Sequence, residues 1–484
     1  MSSEKVDLLI IKPGCQKELY GELSETLSGL EPPLWAALLA AFVREKGFKV
    51  KVVDAEVMPE YLLPTIARYK ARLTAIVVSG TNPSASTMNM VGAREILEKI
   101  KSIDSDMPTI LMGLHPSALP ERTLKEEAVS AVCQGEGFYT LVDLLSGASY
   151  KDVRGLWHRD SGKILSNPPA ELVNPNELPI PAWDLLPMDR YRAHNWHSWS
   201  NKNQRKPYGI IYTSLGCPYN CSFCCINAIF GKRKIRYRDP KLVINDIDYL
   251  VKNYGIKNIK IIDEMFALNE GHVTKLCDLI ISRKYDLNIW AYARVDTLND
   301  KMLKSMKRAG FKWLALGFES GNKKIRYGVT KGRFGNEEIL KIVRKIRDSG
   351  INMVGNFIFG LPGDNLKTMH DTLNMAKELN CEYTNFYVCM AYPGSQLYED
   401  ADPADLPDLW LCYSQLGYET KPLPTKYLKP KEILQFRDNA FIEFYTSEGY
   451  QKMIYEKFGE TTLQNIKNML RYKLKRKLLC DQGC

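Results

Sequence analysis

Ten residues of the chain, Gly216 to Cys225, read G-C-P-Y-N-C-S-F-C-C and hold four of its twelve cysteines. The spacing C-x3-C-x2-C puts Cys217, Cys221 and Cys224 in one short loop, with Cys225 beside them. A tetrahedral zinc site needs a second ligand pair at short range, such as another C-x2-C or an H-x3-H, and none follows within about forty residues. A dithiol redox site uses C-x2-C alone at a helix N-terminus, which leaves Cys217 idle. Three thiolates in one loop suit an iron-sulfur cube: they hold three irons, and the fourth stays open to another ligand. An open iron points to chemistry more than to electron storage.

The elements that must position this loop form an α/β pattern. Residues 1–147 alternate strand and helix, with apolar runs VDLLII, KVKVVD, TAIVVSG, PTILMG and AVSAVC bounded by Gly or Pro, as buried parallel strands are. Five strands with helical crossovers predict a doubly wound, Rossmann-like domain. Residues 148–205 break the rhythm. GLWHRDSGKILSNP reads as a hairpin about Asp160-Ser161-Gly162, and six prolines between 168 and 187 predict a stiff, extended linker. Residues 206–404 alternate again, with strands near YGIIYTSLG, IKNIKIIDE, NIWAYAR, KWLALGFE, NMVGNFIFG and YTNFYVCMAYP. Six such units are too few for a closed eight-stranded barrel, so a partial barrel is expected, with chemistry at its C-terminal strand ends. The cysteine loop follows the first of these strands. Residues 405–484 read as a helical C-terminal cap that includes TTLQNIKNMLRYKLKRKL.

Cys217, Cys221, Phe223 and Cys224, as C-x3-C-x-(aromatic)-C ahead of a basic stretch and a six-strand partial barrel, resemble the radical S-adenosylmethionine (SAM) superfamily. That resemblance implies a [4Fe-4S] cluster on Cys217, Cys221 and Cys224. Its open iron chelates SAM, and one electron cleaves SAM to a 5′-deoxyadenosyl radical. It also implies an external one-electron reductant of the flavodoxin or ferredoxin type. Cys225 matches no ligand position. Asp263-Glu264 ends the second barrel strand where many members carry Gly-Gly-Glu, Arg294 ends the third, Glu319 the fourth, and GLPG with Gly360 and Pro362 follows the fifth. The resemblance gives Asp263-Glu264 SAM's amino group, Arg294 its carboxylate or a ribose oxygen, Glu319 its ribose hydroxyls and the GLPG turn its adenine; taken singly, each is as often a helix cap or surface ion pair.

The first domain resembles the cobalamin-binding domain found in front of such barrels. The resemblance rests on SGTNPSAS at 79–86, GLHPSALPE at 113–121 and QGEGFYTL at 134–141. It implies cobalamin contacts from Thr81, Asn82 and Ser84, from Gly113, His115, Pro116 and Ser117, and from Gly135, Glu136 and Gly137. The D-x-H-x-x-G motif that supplies a histidine to cobalt is absent, and His115 is read as a loop or tail hydrogen bond rather than a cobalt ligand. Methylthiotransferases also carry an N-terminal α/β domain, but theirs has three cysteines, against Cys15 and Cys133 here. The resemblance as a whole implies a cobalamin-dependent radical SAM methyltransferase acting on an unactivated carbon of a small molecule. A radical cyclase, ring contraction or other rearrangement uses the same two domains. A non-enzymatic metal-binding protein would instead hold zinc and no iron.

Composition sets the remaining bounds. With 484 residues, 45% hydrophobic and 25% charged, the chain is an ordinary globular sequence of two or three domains. No apolar run of about 18 residues predicts a membrane span, and a cytoplasmic location is the default expectation. The remaining cysteines are scattered through apolar segments, as buried thiols in a reducing compartment are. The net charge of +10 is partly concentrated in Arg471, Lys473, Lys475, Arg476 and Lys477. Such a run is more often a solvated helix face than a nucleic-acid or membrane surface, and no nucleic-acid partner is expected.

Overall fold

A computed structural model describes residues 4–480 apart from Glu22, Thr81, Asn82, Lys202, Asn203, Lys331 and Arg333. The first sheet contains β1 (Glu4–Lys12), β2 (Val50–Asp54), β3 (Tyr69–Val78), β4 (Thr109–Gly113), β5 (Ala131–Cys133), β6 (Leu156–Asp160) and β7 (Lys163–Ser166), in the order β2-β1-β3-β4-β5-β6-β7. β1 to β5 are parallel. Leu8 to Ile11 and Ala75 to Val78 are fully buried because helices cover both faces, and this is why these strands read as unbroken apolar runs. The order reverses between β1 and β3, which opens a crevice at their C-terminal ends.

The hairpin turns at Ser161 and Gly162, both with positive φ as a tight two-residue turn requires. It does not stand in a linker, as expected, but extends the first sheet: β6 pairs antiparallel with β5, and β7 with β6. Three-residue β5 would otherwise leave an open edge, and the hairpin covers it. The proline-rich stretch is extended, as expected, yet it is not a free tether. Val173, Leu178, Trp183 and Tyr191 are buried along it.

The second sheet is all parallel. It contains β8 (Tyr208–Ile211), β11 (Asn258–Ile261), β12 (Asn288–Ala293), β13 (Phe311–Glu319), β14 (Asn352–Phe359) and β15 (Tyr383–Val388), in the order β15-β14-β13-β12-β11-β8. Between β8 and β11, a two-residue antiparallel ladder of β9 (Ser214–Leu215) and β10 (Arg236–Tyr237) brackets the cysteine loop. Helices between consecutive strands pack on the outer face, giving an open, six-stranded partial barrel.

The C-terminal region has helices Pro430–Tyr445, Glu448–Phe458 and Glu460–Met469. The helix expected to run into the basic tail stops at Met469. Beyond it the chain is extended, because Arg476 is buried as the centre of a polar knot. Its guanidinium donates to both oxygens of Asp438 at 3.0 Å, to the carbonyls of Gly417 and Gln415 at 2.9 and 3.2 Å, and to Thr420 Oγ1 at 2.9 Å. Among the described residues, no helix is long and apolar enough to cross a membrane. Arg476→Ala removes the donor to the part-buried Gln415 carbonyl and two bonds to Asp438, so chemical denaturation is expected to show a loss of about 1–3 kcal/mol. An unchanged midpoint would contradict the anchoring role.

Candidate functional site

The cysteine loop is held at five points. Gly216 has φ of +89°, and a Cβ there would lie 2.3 Å from the carbonyl oxygen of Lys234, so only glycine lets the β9–β10 ladder close at the foot of the loop. The Ser222 amide donates to Val329 O at 3.1 Å, and the Leu397 amide donates to Ser222 O at 2.9 Å. Thr330 Oγ1 donates to Asn220 O, and Asn227 Nδ2 donates to Tyr219 O at 3.2 Å. Phe223 packs with Ile325, Val329 and Leu361, joining the loop to the turn that follows β14.

Arg294, buried at the end of β12, points into this loop. Its Nη1 is 3.9 Å from Cys221 Sγ, and its guanidinium carbon stands 3.7 Å from the centre of the Tyr219 ring. Asp296 fixes it with two bonds of 2.9 Å. The Cys224 thiol is pushed well above its ordinary range, first by burial and then by the sulfurs of Cys225, Cys221 and Cys217 around it. Crowded thiols of this kind ionise together only when a metal supplies positive charge, so the donor set fits an iron-sulfur cluster. Among the described residues, no three His, Cys, Asp or Glu side chains converge as a single ion requires. A cube asks for no such convergence, because each thiolate takes its own iron.

Asp263 and Glu264 diverge. Asp263 is fully buried and accepts from the Thr213 amide at 2.6 Å, Thr213 Oγ1 at 2.5 Å and Ser214 Oγ at 2.6 Å. It ties β11 to the entrance of the cysteine loop, while burial pushes its carboxyl up to about 6 against those bonds. Glu264 Oε2 accepts from the Gly216 amide at 3.3 Å, whereas its Oε1 is buried with no hydrogen-bond partner among the described residues. Burial, with Asp263 beside it, pushes Glu264 up to about 8. Glu319 closes β13 with φ of +60°, rare for a residue with a side chain, where the β13–β14 register shifts. Gly360 has φ of +79°, and a Cβ there would meet Ile433 Cγ2 at 2.7 Å; Pro362 beside it is exposed. Asp364, which sequence reasoning missed, fixes this turn by accepting from the Leu361 amide at 3.0 Å and Thr368 Oγ1 at 2.6 Å.

In the first domain, Gly113 has φ of +121°, and a Cβ there would lie 2.2 Å from Val78 O. His115 and Pro116 lie in the short helix Leu114–Ala118 that follows. His115 is buried beneath Trp410 with ring centres 4.5 Å apart, its Nδ1 is 3.2 Å from Thr87 Oγ1, and its Nε2 has no hydrogen-bond partner among the described residues. Burial, helped by the nearby Arg122 charge, draws it down to about 3, so the ring is neutral at physiological pH. Ser117 Oγ donates to Gly113 O at 2.7 Å and accepts from the Gly135 amide at 3.0 Å, linking two of the loops. Gly137, φ +87°, has the side chain of Met112 where a Cβ would go. Glu136 turns away from the other loop residues: it accepts from the Val173 amide at 2.7 Å and forms a two-pronged ion pair with Arg236 of β10. Thr81 and Asn82 lie outside the described residues. Ser84 sits in the short helix Pro83–Asn89, with its side chain likewise outside the description.

A cleft lies between the domains. Lys12, Ser79 and Gly80 at the β1/β3 crevice line one side, Ile210, Tyr212 and Ile262 at the first two barrel strands another, and Glu31 and Trp35 the rim between them. Sequence reasoning missed Lys12, which the strand-end rule would have found, and Glu31, for which no local signal exists. Lys12 Nζ is 3.4 Å from Asp54 and 3.7 Å from Glu56.

Comparison with known proteins matches residues 211–376 to the radical SAM superfamily and residues 23–145 to the B12 binding domain. An uncharacterized methyltransferase of Pyrococcus horikoshii is 32% identical over 449 residues, covering 91% of this chain and 94% of its own. The chain belongs to the cobalamin-dependent radical SAM methyltransferase family. Its cofactors are accordingly a [4Fe-4S] cluster, SAM and cobalamin. An anaerobic magnesium-protoporphyrin IX monomethyl ester cyclase of Rubrivivax gelatinosus is 25% identical, over 77% of this chain and 67% of its own. The fold is shared with the radical SAM methyltransferase TsrM from Kitasatospora setae, solved with cobalamin and a [4Fe-4S] cluster bound, with a TM-score of 0.64, 19% identity, and coverage of 82% of this chain and 77% of that one.

Two predictions follow from the loop's geometry. Gly216→Ala, which forces backbone apart at the β9–β10 ladder, is expected to lower the iron content of reconstituted protein by more than half while the first domain still binds cobalamin. Full iron loading would contradict the steric argument. Glu264 carries a proton up to about pH 8 when folded but only to its ordinary 4.5 when unfolded. The cluster-free protein should therefore lose stability as pH rises from 4.5 to 8, since the folded state binds more protons across that window. In Glu264→Gln that part of the pH dependence should vanish from denaturant midpoints measured across the window; an identical slope would contradict the assignment.

Proposed function

We propose that the protein methylates an unactivated carbon of a small molecule by a radical route, with the substrate held in the cleft between its two sheets. The observation that carries this reading is the cleft itself, which is lined by C-terminal strand ends of both domains. When bound, the cluster with SAM supplies a hydrogen-abstracting adenosyl radical, and cobalamin supplies a transferable methyl group. The work of the chain is placement and exclusion of water.

In this reading Cys217, Cys221 and Cys224 hold the cluster, and Cys225, fully buried beside them, is a packing residue. Glu264, through its unpartnered Oε1, receives the amino group of SAM, and Arg294 faces its carboxylate. Glu319 takes the ribose, and the turn of Gly360 and Pro362 lies along the adenine. Asp263 is a positioning residue for the loop. In the first domain, Thr81, Asn82 and Ser84 are assigned the corrin contacts. The backbone at Gly113, Pro116, Ser117, Gly135 and Gly137 receives the nucleotide tail, and His115 contributes Nε2 as a hydrogen-bonding group. Glu136 acts from behind, bracing its loop against Arg236. The reading includes an external one-electron reductant of the flavodoxin or ferredoxin type, no nucleic-acid partner and a cytoplasmic location, as suits an oxygen-sensitive cluster and scattered free thiols.

A second reading, a radical cyclisation or rearrangement without methyl transfer, is favoured by the relative named as a cyclase. The two separate in one assay. Anaerobically reconstituted protein, with SAM labelled in its methyl group, reductant and candidate substrates, should yield labelled product heavier by one methylene unit. 5′-Deoxyadenosine with an unlabelled product would overturn methylation and leave the cyclase reading. Cys217→Ala, Cys221→Ala and Cys224→Ala should each drop below about four irons per chain and yield no 5′-deoxyadenosine, whereas Cys225→Ala should retain both.

A further inference from the structure

The run Gly231-Lys-Arg-Lys-Ile-Arg236 splits into two behaviours. Arg236 turns inward to its ion pair with Glu136, and Arg238, two residues on, is buried against Asp246. Lys232, Arg233 and Lys234 are exposed, and among the described residues none has an ion pair or side-chain hydrogen bond to a neighbour. Three adjacent cations left unpaired in this way repel one another. The same turn is also coupled to the start of the cysteine loop. The Lys234 carbonyl presses on Gly216, one residue before Cys217, and the β9–β10 ladder holds it there. The loop opens to solvent on its own account: Pro218 and Asn220 are exposed, and Cys221 and Cys224 are only partly buried.

We propose that Lys232, Arg233 and Lys234 are the docking site for a small acidic electron-carrier protein that reduces the cluster. The inference rests on the cluster reading above. Transfer moves one electron: the carrier is oxidised by one, the cluster is reduced by one, and no atom passes between them. A transient complex of this kind needs a small, polar, complementary patch close to the redox centre rather than a large apolar face. An unpaired basic triad beside a half-exposed cysteine loop meets that need, and it steers an acidic partner through the long-range field, raising association rates about 10- to 1000-fold. The β9–β10 ladder ties the turn to the start of the cysteine loop, and Arg236 braces it against Glu136 of the first domain, so a carrier seated on the triad is held close to the cysteines.

The test compares reconstituted wild type with the charge-reversed triple variant K232E/R233E/K234E, using a reduced acidic ferredoxin as the probe. A control triple, K304E/R308E/K341E, makes the same charge change on the outer barrel helices. Measured are iron content, ferredoxin affinity by calorimetry at low and high salt, cluster reduction rate by ferredoxin and by dithionite, and retention of corrinoid and of an oligonucleotide. The expected result is full iron content and an unchanged dithionite rate, with ferredoxin affinity and reduction rate lowered at least tenfold at low salt. That difference should shrink at high salt, and the control should match wild type. Equal ferredoxin binding and reduction in the triad variant would overturn the proposal, as would an equal loss in the control. Loss of corrinoid or of oligonucleotide retention at unchanged ferredoxin reduction would also overturn it, assigning the triad to a phosphate ligand. Absence of iron in wild type would instead defeat the cluster reading itself, so the two failures are distinguishable.

Discussion

Lys260 is a cation inside the bore of the barrel, 1% exposed on its side chain, and Glu31 reaches it from the first domain with both carboxylate oxygens at 2.9 Å. Burial draws the lysine down from its ordinary range, the carboxylate opposes this, and the rings of Trp290 and Tyr292 flank the ammonium. Tyr208 at the start of β8 donates to the same carboxylate at 3.3 Å. A buried pair of this kind adds little net stability, but removing one partner strands the other, so it fixes one arrangement against alternatives. Glu136 and Arg236 do the same on the far side of the junction, between the last cobalamin-domain loop and the β9–β10 ladder. Two charge pairs across one interface set the relative orientation of the sheets. The cleft exists because that orientation makes their C-terminal ends face each other.

The rest of the junction follows from the same constraint. The proline-rich stretch packs along both domains rather than tethering them loosely, and Arg238 donates to its Leu178 carbonyl at 2.8 Å. On the solvent side, residues 410–420 bridge the halves. Trp410 covers His115 and takes Arg122 against its face at 4.3 Å, Ser414 donates to Leu19 O, and Gln415 holds the end of β15 through both its amide atoms. Arg476 ties this segment to the helix Pro430–Tyr445. Residues 410–420 thus cover the domain junction, while the helix Glu448–Phe458 packs at the N-terminal end of the barrel strands through Tyr450 and Lys457 to Glu382.

The strands were legible because parallel strands buried on both faces must be apolar throughout, and the cysteine loop because its spacing has few chemical explanations. Arg294 was legible as a strand-end residue, and its side chain does enter the loop. Asp263 and Glu264 looked equivalent in sequence, yet one is saturated by Thr213 and Ser214 while the other keeps an unpaired oxygen, a difference set by the β8–β9 turn. Glu136 carries a loop position that reads as a ligand contact, but its side chain is committed to Arg236, one hundred residues away. The hairpin was read correctly as a hairpin but placed in a linker, because edge pairing depends on how short β5 is. The tail was read as a helix because its leucines and cations have helical spacing; burial of Arg476 overrides that preference. In each case the missing information was a long-range partner, which local spacing does not encode.

The central claim is that one cleft serves both cofactors. An anaerobic crystal structure with SAM and hydroxocobalamin bound tests it most directly. The account predicts that the 5′ carbon of SAM and the upper face of the corrin both open onto the cleft lined by Lys12, Trp35, Tyr212 and Ile262, with the Glu31–Lys260 pair intact. A corrin seated with its upper face turned away from the barrel, or SAM and corrin opening onto separate cavities, would contradict it.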